Sequence, residues 1–140
     1  MTEILTGLIE PRQLEAFSWF EKHLEDVQFD LDSVEIALIA REIPKVSIVV
    51  YLGTWCGDTH EQVPPFLKLL ELLPEAPLEL RLFALDRAKT YPGFTNTQHV
   101  DKIPTFIFLK GGFEVGRIVE SPMQTWVHDL HDIFSEKHSH

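Results

Sequence analysis

The stretch that most narrows the fold is residues 47–59, SIVVYLGTWCGDT. A β-branched and aromatic run over 46–52, bounded by Pro44 and Gly53, predicts a short strand covered on both faces. The period then changes. Val63, Phe66, Leu67, Leu70 and Leu73 mark one face of a helix over 57–73, which PEAP at 74–77 ends. Cys56, the only cysteine of the chain, therefore stands where a buried strand gives way to a helix.

The remaining elements follow from the same signals. Residues 11–27, PRQLEAFSWFEKHLEDV, predict one amphipathic helix opened by Pro11, with Leu14, Phe17, Phe20 and Leu24 inward. Asp32 or Ser33 caps a second, short helix through Val34, Ile36, Ala37 and Ile39. A strand is expected over 78–85, and Asp86-Arg87 begin its exit loop. Residues 88–102 are polar, contain Pro92 and Gly93, and are expected to be irregular. A strand over 105–109, the turn Gly111-Gly112 and a return strand over 113–119 read as a hairpin. Pro122 opens a last helix carrying Trp126, Val127, Leu130, Ile133 and Phe134. The early strand–helix–strand implies a parallel pair with a right-handed crossover, and the hairpin adds an antiparallel pair. The expected class is α/β, a three-layer fold with a central mixed sheet and helices on both faces.

At 140 residues the chain fits one domain with a real core. It divides into an N-terminal helical segment over 1–45, a core over 46–135 and a flexible tail over 136–140. A formal charge of −10 argues against nucleic acid, since nothing gathers enough Lys or Arg to neutralise phosphates. No apolar run reaches the length of a membrane span. The start, MTEILTGLIEPRQ, lacks the pattern of a signal peptide, so the expected location is the cytoplasm. A single cysteine makes no intrachain disulfide.

Three separated pieces resemble the thioredoxin family. Trp55-Cys56-Gly57 follows a strand and opens a helix, and Pro64 stands eight residues after the cysteine. KIPTFIFLKGGFEVG at 102–116 is similar to the family's cis-proline segment and its hairpin. The resemblance implies that Pro104 is the cis-proline facing Cys56. It also implies that Ile103, Pro104 and Thr105 present backbone to a substrate. GTWCGDT together with VPPFLKLL and IPTFIFLKGG is more closely similar to a bacterial thioredoxin-like group that keeps only the first active-site cysteine.

The departures from the family pattern bear on chemistry. Thr59 stands where the resolving cysteine is expected, Val50 where the family buries an acid, and Glu120 where it has a groove glycine. A dithiol enzyme resolves its mixed disulfide with the second thiol; this chain needs a thiol from outside, such as glutathione or bacillithiol. The positive end of the helix favours a Cys56 thiolate, and Thr59 could donate its hydroxyl to it. Asp58 opposes it. Arg87 and Lys89, at the C-terminal end of the second strand, are candidates to offset Asp58. His60 is a candidate general acid, although a polar residue in a first turn is more often solvated. Trp55 and Gly57 shape the site.

His128 and His131 share a helix face. With His138 and His140 they suggest a metal site only weakly, because no spacing fixes a third ligand. Phe17, Trp19 and Phe20 suit either a docking surface or packing on the sheet. Two functions follow. One is a monothiol thiol–disulfide oxidoreductase acting through Cys56 on protein or small-molecule thiols and disulfides, with no bound cofactor and no membrane or nucleic-acid partner. The other is a non-catalytic module that binds a peptide or protein partner in the groove between Cys56 and Pro104.

Overall fold

A computed structural model describes residues 4–22, 24 and 27–135. In chain order the elements are β1 (Gly7–Ile9), α1 (Pro11–Glu15), α2 (Ser18–Lys22), α3 (Val34–Glu42) and a 3-10 turn (Ile43–Lys45). They continue with β2 (Ser47–Leu52), α4 (Gly57–Leu72), β3 (Glu79–Ala84), β4 (Thr105–Lys110), β5 (Phe113–Val119) and α5 (Trp126–Ser135). The strands form one mixed sheet in the order β1-β3-β2-β4-β5. β2 runs parallel to β3, and the other pairs are antiparallel. The tail expected to fray, with His138 and His140, lies outside the described residues.

Alternation along the strands separates two faces. Ile48, Val50, Leu52, Leu82, Phe106 and Phe108 face one way, and every helix adds side chains to that same cluster. Tyr51 and Ile107 face the other way and meet Leu85, Val100 and Ile103, with Phe83, Tyr91 and Phe94 at the margin. The α/β class with a mixed sheet stands. The layer on the second face differs from the expectation of helices on both: it is the irregular segment 86–104. Its polar side chains replace helical hydrogen bonds. Asp86 Oδ1 accepts the N–H groups of Ala88 and Thr90, and the Asn96 amide pairs with both backbone groups of Val100.

Two helices differ from expectation. The single helix over 11–27 breaks at Ala16 and Phe17 into α1 and α2. Leu14, Trp19 and Phe20 are all buried, and a straight helix points positions 14 and 19 about 140° apart; the break turns both inward. The last helix starts at Trp126, not at Pro122. Thr125 Oγ1 accepts the His128 N–H, and the Asp129 carboxylate accepts those of Met123 and Gln124, which holds 122–125 as a capping loop. Ser33 caps α3 through the Ile36 N–H at 3.2 Å. β1 is an addition that three residues of sequence did not signal.

Candidate functional site

Cys56 is the N-cap of α4, with φ −92° and ψ 126°. Its backbone N–H donates to the Gly53 carbonyl at 3.0 Å, which closes the turn between β2 and α4. The thiol is partly exposed, and its Sγ lies 3.7 Å from the Ile103 carbonyl oxygen. The Ile103–Pro104 peptide bond is cis. Ile103, Pro104 and Thr105 are buried, and Thr105 Oγ1 donates to the Lys102 carbonyl. The structure thus brings the cysteine turn against the 103–105 segment.

The neighbours of the thiol divide into exposed and committed groups. Gly57 and Asp58 are exposed on the first turn. Thr59 is fully buried, and its Oγ1 accepts the Gly53 N–H at 3.2 Å. Its hydroxyl therefore braces the turn from inside, and no bond runs from it to Cys56 Sγ. Trp55 Nε1 donates to the Leu85 carbonyl at 2.9 Å, and the Arg87 guanidinium lies 5.4 Å from the Trp55 ring centroid, a cation–π distance. A Cβ on Gly53 would stand 2.8 Å from Trp55 Cε2, so the indole sits where only a glycine leaves room. Lys89 is anchored elsewhere, on the Asp101 carbonyl at 2.9 Å. Of the two basic candidates, Arg87 is the one held against the Trp55–Cys56 turn.

His60 is held by two groups other than the thiol. Its Nε2–H donates to the Thr54 carbonyl at 2.6 Å, and its ring stacks on Trp19 at 4.2 Å. Trp19 had no sequence signal linking it to the site, because the contact spans α2 and α4. Val50 is fully buried in the apolar cluster beneath α4, with no carboxylate in its place. Glu120 follows β5 in the left-handed region, φ +69°. Its N–H donates to the Pro104 carbonyl at 2.7 Å, and its carboxylate lies 4.0 Å from Lys102 Nζ. It stands beside Pro104 as a charged residue in a conformation that favours glycine.

His128 and His131 face carboxylates: His128 Nδ1 is 3.5 Å from Asp132 and His131 Nδ1 is 3.7 Å from it. Among the described residues no group of three or more His, Cys, Asp and Glu side chains is arranged to hold a metal ion. Phe17 stacks on Trp19, and Trp19 and Phe20 are buried in the main core, so these rings pack inside. A cleft of about 780 Å³ lies between α3, α4 and the 121–127 segment, and neither Cys56 nor Pro104 lines it. No helix among the described residues is long and apolar enough to cross a membrane.

Residues 20–130 match a family model described as Thioredoxin. The chain is 30% identical over 91 residues to Thioredoxin Y1, chloroplastic, of Arabidopsis thaliana; the match covers 65% of this chain and 49% of that protein. The chain thus spans about half the length of that curated relative. Among solved structures, a protein of unknown function from Pseudomonas aeruginosa is similar with TM-score 0.56 and 15% identity, covering 90% of this chain and 84% of that one. An HIV epitope scaffold is similar with TM-score 0.53 and 16% identity, covering 88% and 81%. These two likenesses speak for the fold alone. The family match takes in the cysteine turn, the 103–105 segment and the sheet that joins them, and on that ground the chain belongs to the thioredoxin family.

Proposed function

We propose that the protein is a monothiol thiol–disulfide oxidoreductase acting through Cys56. The observation that carries the reading is the placement of a partly exposed thiol at the N-cap of α4, 3.7 Å from the Ile103 carbonyl. The Cys56 thiolate attacks one sulfur of a substrate disulfide, RS–SR′. One S–S bond breaks, RS⁻ leaves and takes a proton from water, and a Cys56–SR′ mixed disulfide forms. A thiolate from outside, with glutathione or bacillithiol as the named classes, then attacks the SR′ sulfur. Cys56 is released as thiolate, and the new disulfide joins SR′ to the outside thiol. Electrons pass from the outside thiol to RS, and the protein ends as it began. Trp55, Gly57 and Thr59 shape the turn, and the 103–105 segment offers backbone to the substrate. The reading sets the protein in the cytoplasm, where a thiol pool keeps cysteines reduced.

Cys56→Ser tests it. Thiol transfer from a glutathionylated peptide is expected to vanish, and a variant with full activity would sink the reading. Glu120 favours a second one, a non-catalytic binding module, because its carboxylate and Lys102 border the groove beside Pro104. Capture of partners from lysate by reduced, thiol-blocked protein would support that module. Loss of every partner on blocking would remove it.

A further inference from the structure

We propose that His60 is a positioning residue for Cys56, held in that role by Trp19 of α2. The proposal rests on Cys56 being the reacting atom of the site.

Thr54, two residues before the cysteine, is fully buried, and it is fixed from two directions by groups outside the turn. Its carbonyl accepts the His60 Nε2–H at 2.6 Å, and its Oγ1 accepts the Leu5 N–H at 3.2 Å. The Cys56 N–H closes the turn onto Gly53, and the Gly53 N–H is held by Thr59. His60 is the member of this set whose own orientation is set by another element. Its ring lies on Trp19 with 16° between planes and 4.2 Å between centroids, and Phe17 stacks on the other partner of that pair at 5.4 Å. The stack fixes the plane of the imidazole, and within that plane the Nε2–H edge is held by the Thr54 carbonyl.

Trp19 Nε1 is buried and has no hydrogen-bond partner among the described residues, and the ring contacts with His60 and Phe17 hold the indole. A buried unpaired donor is costly, and here it accompanies a stack that reaches the catalytic turn. Ring and donor together suit histidine: the flat face meets Trp19 while an edge N–H meets the carbonyl. The consequence lies in alignment. A fixed turn holds Sγ at the N-cap opposite Ile103, and a loosened one spreads the sulfur over more rotamers, which lowers the fraction poised for in-line attack.

The test uses the whole chain, where Cys56 as the only cysteine makes alkylation a single-site readout. His60→Phe keeps a ring against Trp19 and removes the N–H; His60→Gln removes the ring and keeps an amide N–H that reaches the same carbonyl. Iodoacetamide rates at neutral pH are expected to fall about tenfold in His60→Phe and to recover to within about threefold of wild type in His60→Gln. A folded His60→Phe that alkylates at the wild-type rate overturns the proposal. So does a folded His60→Gln as slow as His60→Phe, since a packing defect alone would not be rescued. If His60→Phe does not fold, Trp19→Phe against Trp19→Leu gives the same decision: equal rates overturn the proposal, and a slower Trp19→Leu supports it. Exchange with hydroxyethyl disulfide is measured alongside. A wild-type protein that alkylates but exchanges with no disulfide defeats the monothiol reading and leaves the variant alkylation rates to decide the role of His60.

Discussion

The Gly53 N–H donates to Thr59 Oγ1 at 3.2 Å, and Thr59 is fully buried. The position that carries a resolving thiol in a dithiol enzyme is thus committed here to bracing the turn. Removing the oxygen leaves a buried N–H without an acceptor, at a cost of about 1–3 kcal/mol. Thr59→Val is expected to lose that much in urea unfolding, and Thr59→Ser to stay within about 1 kcal/mol of wild type because it keeps the hydroxyl. Equal stability of the valine and serine variants would show that the bond contributes nothing.

Gly53 is required for a different reason. A methyl group there would meet Trp55 Cε2 at 2.8 Å, and Ile103 Cδ1 at 2.9 Å. Neither ring nor side chain can give way cheaply, because Trp55 Nε1 is bonded to the Leu85 carbonyl and Ile103 is buried. Gly53→Ala is expected to lose about 1–3 kcal/mol through overpacking and to change the fluorescence of the displaced indole. Trp55→Phe in the same background supplies the control: with a smaller ring, the alanine penalty should shrink. A penalty that persists would place the strain at Ile103 instead.

How much of this was legible in the sequence depended on how local each determinant is. The strand into Cys56, the α4 face through Val63, Phe66 and Leu70, the Ser33 cap and the Gly111-Gly112 hairpin are each set by residues a few positions apart, and periodicity or turn chemistry reveals them. Determinants set across the fold were not legible. The break at Ala16–Phe17 lets Leu14 and Trp19 both turn inward, and there Trp19 meets His60, a contact between two helices that no window of sequence contains. β1 is three residues long and is defined by its pairing with β3. The covering of the second face by residues 86–104 draws on an Asx turn at Asp86 and on the Asn96 side chain bonded to the Val100 backbone, which composition alone reads only as an irregular loop. Within the site, the cysteine and proline segments were readable, whereas the inward commitment of Thr59 and the bond of His60 to the Thr54 carbonyl were not.

Glu120 carries backbone strain that a substitution can release. At φ +69° its Cβ is crowded, a conformation that costs a non-glycine residue about 1–2 kcal/mol. Its carboxylate recovers little of that: the pair with Lys102 is 4.0 Å long, and both side chains are well exposed, so it contributes at most about 1 kcal/mol. Glycine relieves the strain but loses about 0.5–1 kcal/mol to backbone entropy. Glu120→Asn avoids that loss and tolerates the left-handed region, so it is expected to gain about 0.5 kcal/mol in urea unfolding. Glu120→Val should lose at least about 1 kcal/mol. A valine variant as stable as wild type would mean that the Glu120 N–H bond to Pro104 does not hold the backbone in this region.

Glu42 links α3 to the sheet and makes part of the stability depend on acid. Its carboxylate accepts from Lys110 Nζ at 2.7 Å, and Arg41 and Lys45 stand at 3.1 and 3.6 Å. The Lys110 hydrogen bond, opposed by burial and helped by Arg41 and Lys45, lowers the Glu42 pKa from 4.5 to about 2. The folded state therefore prefers the carboxylate more strongly than the unfolded chain does. This contribution is fully present above about pH 4.5 and is lost as pH falls towards about 2. Lys110→Met removes the main partner and should cost about 1 kcal/mol near neutral pH, between the values for exposed and buried pairs. The gap between wild type and variant should narrow steadily below about pH 4.5 as Glu42 in the variant and then in wild type takes up its proton. A small gap should persist at the acid end, because Lys110 Nζ also lies 5.8 Å from the Phe134 ring, and that contact does not titrate. Urea unfolding of both proteins across this range reads the gap directly. A difference that stays constant from neutral pH to the acid limit would assign the cost of the substitution to the Phe134 contact and to packing rather than to Glu42.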